Sequence, residues 1–249
     1  MDQYPCCPKN SEPALQTTYQ AQGKDIMVGD LPVYTIGQGC KAIIMIYDIF
    51  GTHGGRTRAI CDSLALQGYT VYLPDLFRGN AWSANKPLDI EFISWLKGFS
   101  IENIQKDVIE TLLPYAKQEG KTSFGIIGFC WGVWVAFNLC ASKEFKCGVG
   151  VHPSLPLAEH MNQTEEGITK AVSCPQMIIA AGNDKDNIKP GGPLMKILTD
   201  KFGDAAKCYY YDKVVHGFFP RGDLEKPEIK EAVESSWIHI KDYLNEHLN

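Results

Sequence analysis

The sequence lacks the marks of a disulfide framework, a structural zinc site or a nucleic-acid binder. Nine cysteines stand at positions 6, 7, 40, 61, 130, 140, 147, 174 and 208. Their number is odd and no Cys-x-x-Cys pair occurs, so neither a disulfide scaffold nor a zinc finger is indicated. Free thiols in a reducing cytosol fit this usage. There is no dense cluster of Lys or Arg, and the net charge is −5, which excludes nucleic acid and an anionic membrane surface as natural partners. The N-terminal stretch MDQYPCCPKNSEPALQ has no apolar core of the secretory kind, so the mature chain is expected to start where the sequence does. The sequon Asn162-Gln163-Thr164 is then a chance match. A true membrane span is also missing. Phe124 to Ala141 is mostly apolar, but it changes character at Gly128 from the β-type run SFGII to the helix-compatible WGVWVAFNLCAS and has no basic flank. A buried strand turning into a buried helix accounts for it.

What is present is ordinary globular composition. The chain has 249 residues, 45% hydrophobic and 21% charged, enough to bury one large core. We expect a single α/β domain over 1–249, with 1–16 as an N-terminal extension. Residues 17–37 alternate short β-like runs with Gly-Lys-Asp and Gly-Asp turn signals, which predicts an antiparallel hairpin at a sheet edge. Strand and helix signals then alternate. Strands are predicted at 41–50, 69–75, 123–129, 145–152, 175–182 and 206–212, with helices at 56–68, within 89–118, from 131 to about 142, at 192–202 and at 227–247. Fully apolar strands separated by helices imply right-handed βαβ crossovers and a mostly parallel sheet with helices on both faces.

Functional side chains in such sheets gather beyond the carboxyl ends of the strands. There the sequence places DIFGTHGG, PDLFRG, FCWG, GNDKD and VVHGFFPRGD. The order Cys130, then Asp184 or Asp186, then His216 is the nucleophile, acid, histidine order of α/β-hydrolases. Gly128 and Gly132 would let a tight strand-to-helix turn expose Cys130, with the following helix offering its N-terminal dipole to a thiolate. His216 would move the proton while a carboxylate holds its tautomer. Asp184 is preferred because a triad acid follows its strand directly. The backbone N–H of Trp131, with that of Ile49 in the Asp48-Ile49 turn, could form an oxyanion hole. Trp131 and Trp134 read as packing or as pocket walls, and His53 and His152 as loop residues.

YDIFG, PDLFRG, GFCWGV, GND and HGFFPRGD, in this order and over nearly the whole chain, resemble the dienelactone hydrolase family. The resemblance implies an α/β-hydrolase fold, a small lactone or ester as substrate, an acyl-enzyme on Cys130, no metal or organic cofactor, and a monomer. It also implies that Arg78 and Arg221 hold a substrate carboxylate, a role suited to a bidentate guanidinium. Family members carry glutamate where this chain has Asp48, a carboxylate that pairs with the resting thiol until substrate displaces it. Here that reach is one methylene shorter.

Overall fold

The structure, a computed structural model, describes residues 6–248; the first five residues of the expected extension and Asn249 lie outside the described residues. Eight strands form one sheet: β1 (Lys24–Val28), β2 (Leu31–Ile36), β3 (Lys41–Ile46), β4 (Thr70–Pro74), β5 (Ser123–Phe129), β6 (Cys147–Val151), β7 (Gln176–Ala181) and β8 (Lys207–Tyr211), in the order β1-β2-β4-β3-β5-β6-β7-β8. The pairs β1/β2 and β2/β4 are antiparallel, which is the expected edge hairpin, and the others are parallel.

The helices are α1 (Thr57–Ala65), α2 (Ile90–Leu96), α3 (Ile101–Gln105), α4 (Leu113–Gln118), α5 (Trp131–Leu139), α6 (Leu157–His160), α7 (Glu165–Ala171), α8 (Pro193–Phe202), α9 (Phe218–Arg221) and α10 (Pro227–His247). Every side chain of β4 and β7 is buried, as a parallel sheet covered on both faces requires. All nine residues of α5 are buried too, so it has no polar face. The apolar stretch 124–141 is therefore a strand and a helix joined at Cys130, and no helix among the described residues is long and apolar enough to cross a membrane.

The helical region 89–118 is not one helix. Asp89 caps α2 by accepting from Glu91 N at 2.9 Å, the chain turns at Gly98, and Ser100 caps α3 by accepting from Asn103 N at 3.3 Å. A π-turn over Lys106–Leu112 then leads into Pro114. Proline has no N–H and its ring crowds the carbonyl four residues back, so the wider turn relieves a clash that a regular helix would suffer. The short α6, α7 and α9 carried no periodic signal long enough to be read in advance.

Candidate active site

The parallel register sets the strand ends side by side: Ile46 pairs with Gly128, Phe129 with Val151, Val151 with Ile179, and Ala181 with Tyr211. Asp48, Cys130, His152, Asp184 and His216 follow β3, β5, β6, β7 and β8, and all are buried. The turn at Cys130 is strained, with φ 54 and ψ −117, a left-handed conformation costly for a residue with a Cβ. Its neighbours make it possible. A Cβ on Gly132 would lie 2.5 Å from Tyr47 O, and one on Gly128 would lie 2.8 Å from Val133 N, so both glycines are needed for the start of α5 to sit against the ends of β3 and β5. Cys130 thereby caps α5, and Trp131 N–H, at the helix start, has no acceptor within the helix.

Asp184 and His216 meet across two strands. His216 Nδ1 lies 2.7 Å from Asp184 Oδ1, both side chains fully buried. A carboxylate only accepts, so Nδ1 carries the proton and Nε2 is left for chemistry. Asp184 Oδ2 accepts from Ala181 N at 2.7 Å, and Asn183 Oδ1 accepts from His216 N at 2.6 Å, so the Gly-Asn-Asp turn orients both partners. Asp186 points to solvent and pairs with Lys189 at 2.9 Å; between the two acids left open by the sequence, Asp184 is the one bonded to the imidazole. His216 Nε2 is buried with no hydrogen-bond partner of its own. Burial acts to lower the imidazole's pKa, but Cys130 and Asp184 outweigh it and raise it to about 9.

Arg221 reaches the site from α9. Its Nη1 donates to Asp48 Oδ2 in a fully buried pair, its Nε donates to Glu12 O at 3.1 Å, and its Nη2 has no partner. A Cβ on Gly217, whose φ is 93, would fall 2.7 Å from Arg221 Cζ, so the glycine after His216 makes room for the guanidinium. Asp48 Oδ1 accepts from Phe50 N at 2.9 Å. Asp48 therefore hydrogen-bonds Arg221 and Phe50 N, and stands as the counter-ion of Arg221 close to the sulfurs. Ile49 is fully buried in that same turn.

One expectation changes. Arg78 is not gathered with Arg221: its guanidinium forms a bidentate pair with Asp107 at 2.9 and 3.0 Å on a part-exposed loop. PDLFRG instead closes as a turn, with Asp75 Oδ2 accepting from Gly79 N at 2.7 Å, and presents Phe77 to the core. There Phe77 lies 4.5 Å from Trp131 and 5.0 Å from Tyr47, ring centre to ring centre. Trp131 and Trp134 are fully buried and serve packing.

Nothing in the sequence pointed to the extension's part in the site. Cys6 Sγ lies 3.4 Å and Cys7 Sγ 3.7 Å from Cys130 Sγ, with all three side chains buried. Ser154, after β6, sits 3.3 Å from the same sulfur and donates to Cys6 O. Hydrogen bonds from Cys130 and Cys6 hold Cys7 well below the ordinary thiol range despite burial, with help from Arg221, while burial pushes Cys6 up. His152, at φ 40, lies 4.7 Å from His216 between ring centres, and neither of its nitrogens has a partner. Burial, then the charges of His216 and Arg221, drive it well below the usual histidine range. It is therefore a neutral wall of the site. Its position at a strand end was the only available signal. A cavity of about 400 Å³ opens beside the sulfurs, lined by Cys7, Ile49, Phe50, Trp82, Leu88 and Arg221 among others.

Comparison with known proteins agrees with this architecture. Residues 33–248 match the dienelactone hydrolase family. The chain is 30% identical to the human carboxymethylenebutenolidase homolog over 247 residues, covering 92% of this chain and 93% of that one. It is 29% identical to hydrolase tropI of Talaromyces stipitatus over 236 residues, covering 89% of each. A crystal structure described as a putative dienelactone hydrolase from Klebsiella pneumoniae superposes with a TM-score of 0.65 at 17% identity, over 94% of this chain and 97% of that one. The fold and the family match agree, and the chain belongs to the dienelactone hydrolase family, whose α/β-hydrolase domains cleave esters and lactones.

Proposed function

We propose that the protein is a cysteine-dependent hydrolase of small carboxylate-bearing lactones or esters, working through an acyl-enzyme on Cys130. The observation that carries this reading is the buried hydrogen bond between Asp184 and His216, which commits Nδ1 and leaves Nε2 for the neighbouring Cys130. The Cys130 sulfur attacks the carbonyl carbon, and the oxyanion forms beside the first N–H groups of α5, with the Asp48-Ile49 turn as second donor. The Cys130 thiol has passed its proton to Nε2 of His216, so when the tetrahedral adduct collapses the alkoxide leaves with that proton and a thioester remains. Water then attacks the thioester with His216 as base, releasing the acid and returning the proton. Asp184 keeps the imidazole upright and stabilises its charged form. Arg221 lines the cavity with Phe50 and has an unpartnered, buried Nη2, and a guanidinium of this kind suits a substrate carboxylate. Cys130 is fully buried, so substrate reaches the sulfur only when the Cys6-Cys7 segment draws aside.

A second reading, a redox-responsive protein that keeps the fold with little turnover, is favoured by the two thiols against Cys130. A screen of activated esters and dienelactones with wild type, Cys130→Ser and Cys130→Ala separates the two. Turnover by wild type that vanishes in Cys130→Ala, with an acyl-cysteine seen by mass spectrometry, supports the hydrolase; undiminished turnover in Cys130→Ala overturns it. Arg221→Lys keeps the charge but loses the fork, so KM should rise for carboxylate-bearing esters and stay put for neutral ones.

A further inference from the structure

Three sulfurs are gathered where hydrolysis uses one. The Sγ atoms of Cys6, Cys7 and Cys130 all lie within 4.8 Å of one another, and no other such group of ligating side chains occurs among the described residues. Four-coordinate zinc with sulfur bonds of about 2.3 Å holds its sulfurs about 3.8 Å apart. The observed separations from Cys130, 3.4 and 3.7 Å, come close to that with little rearrangement.

In the closed arrangement the carrier of the two extra thiols is held by several bonds. Ser154 Oγ donates to Cys6 O, Asn183 Nδ2 to Lys9 O at 3.0 Å, Glu12 N to His216 O at 2.8 Å, and Gly55 N to Leu15 O at 3.2 Å. These bonds hold residues 6–15 across the strand ends, so the fold itself supplies much of the ordering that a metal site needs. Charge is provided for as well. The buried Arg221 guanidinium has its Nη2 unpartnered beside the sulfurs, and α5 directs its N-terminus at Cys130. The buried Nε2 of His216, a neighbour of Cys130, can complete a fourth position once it gives up its own proton.

We propose that Cys6, Cys7 and Cys130 form a three-thiolate site for a soft divalent cation of the zinc and cadmium kind, which masks the nucleophile when bound. Binding forms three metal–sulfur bonds and releases the proton of each thiol that was still protonated. Three thiolates and one divalent ion leave a net charge of −1, which the Arg221 guanidinium, shared with Asp48, offsets in part. Hard cations are excluded, because magnesium and calcium require oxygen ligands and the nearby carboxylate of Asp48 is already committed.

The inference rests on sulfur geometry and not on turnover, so the two are tested separately. Cadmium is titrated into the reduced full-length chain, following equilibrium dialysis and the thiolate-to-cadmium charge-transfer absorbance. We expect one ion per chain with the absorbance of three thiolates. Cys6→Ser and Cys7→Ser should each remove one thiolate's share and weaken binding about tenfold or more, since even outer partners of a metal ligand are worth that much. The Cys6→Ser/Cys7→Ser double variant, checked for folding by circular dichroism, should turn over activated esters yet resist an amount of cadmium that silences wild type. Cadmium binding that is absent, or that persists unchanged in the double variant, overturns the proposal. If no variant hydrolyses any ester, the hydrolase reading fails while the titration still decides the metal site.

Discussion

Replacing Asp48 by asparagine removes the counter-charge of an arginine that cannot give up its proton. Arg221 is 2% exposed and Asp48 fully buried. One Asp48 oxygen meets Arg221 Nη1 and the other accepts from Phe50 N at 2.9 Å. The amide introduced by Asp48→Asn would keep one of these acceptors and turn a donor toward the other N–H. Breaking a buried ion pair from one side costs about 3–5 kcal/mol. The face of the Phe50 ring, 4.9 Å from the guanidinium carbon, and the Glu12 carbonyl remain to shelter the cation, which places the loss near the low end, about 3 kcal/mol. For a chain of this length that lowers the melting temperature by roughly 6–12 °C. Urea unfolding should show the midpoint falling with little change in slope. Adding Arg221→Met to Asp48→Asn should recover most of the loss, because the stranded charge is gone. A loss below about 1 kcal/mol in the single variant, or no recovery in the double, would refute the reasoning.

The remaining predictions concern the elbow, the acid and the two histidines. Gly132→Ala should destabilise by about 1–3 kcal/mol or more and abolish ester turnover, because its Cβ would press on Tyr47 O at 2.5 Å, backbone that cannot yield; thermal melts and turnover check this. Asp184→Asn should cut ester turnover by a factor on the order of 10²–10⁴ while Asp186→Asn leaves it intact, and the reverse ranking would unseat Asp184. His216 is raised to about 9, so its proton stabilises the fold below about pH 6.5 and that contribution is lost as pH rises through 9. Comparing urea midpoints, wild type should lose more over this range than His216→Gln, with Cys7's opposite contribution present in both. His152 is held neutral, so its contribution runs the other way: stability is lost as pH falls below about 6.5, and His152→Asn should blunt that acid-side loss.

The parts of the site readable in advance are those that topology controls. In a parallel sheet a residue just past a strand must lie near its counterparts past the neighbouring strands, so Cys130 and His216 could be placed from alternation and order alone. Asp184 followed from its place directly after β7. Arg78 shows the limit of that logic. It also follows a strand, β4, but Asp75 folds the loop into its own turn and Asp107, on a helix segment no pattern aligned with it, takes the guanidinium. Cys6 and Cys7 lay further out of reach, because an extension without periodicity gives no register and their partner stands 124 residues away from Cys6. The division of 89–118 depended on Gly98 and Pro114, whose effects on the helix are local and easily overruled by a strong apolar repeat.

The seam between Glu12 and the residues around His216 and Arg221 joins groups as many as 209 positions apart. During synthesis this segment emerges before the sheet, yet the surfaces it lies on are completed only when the turn after β8 has been made and the sheet has closed. Contacts of such separation form late because they demand the most loop closure. A nascent or partly unfolded chain therefore holds its elbow cysteine uncovered, and a segment made before the sheet finds its seat after it.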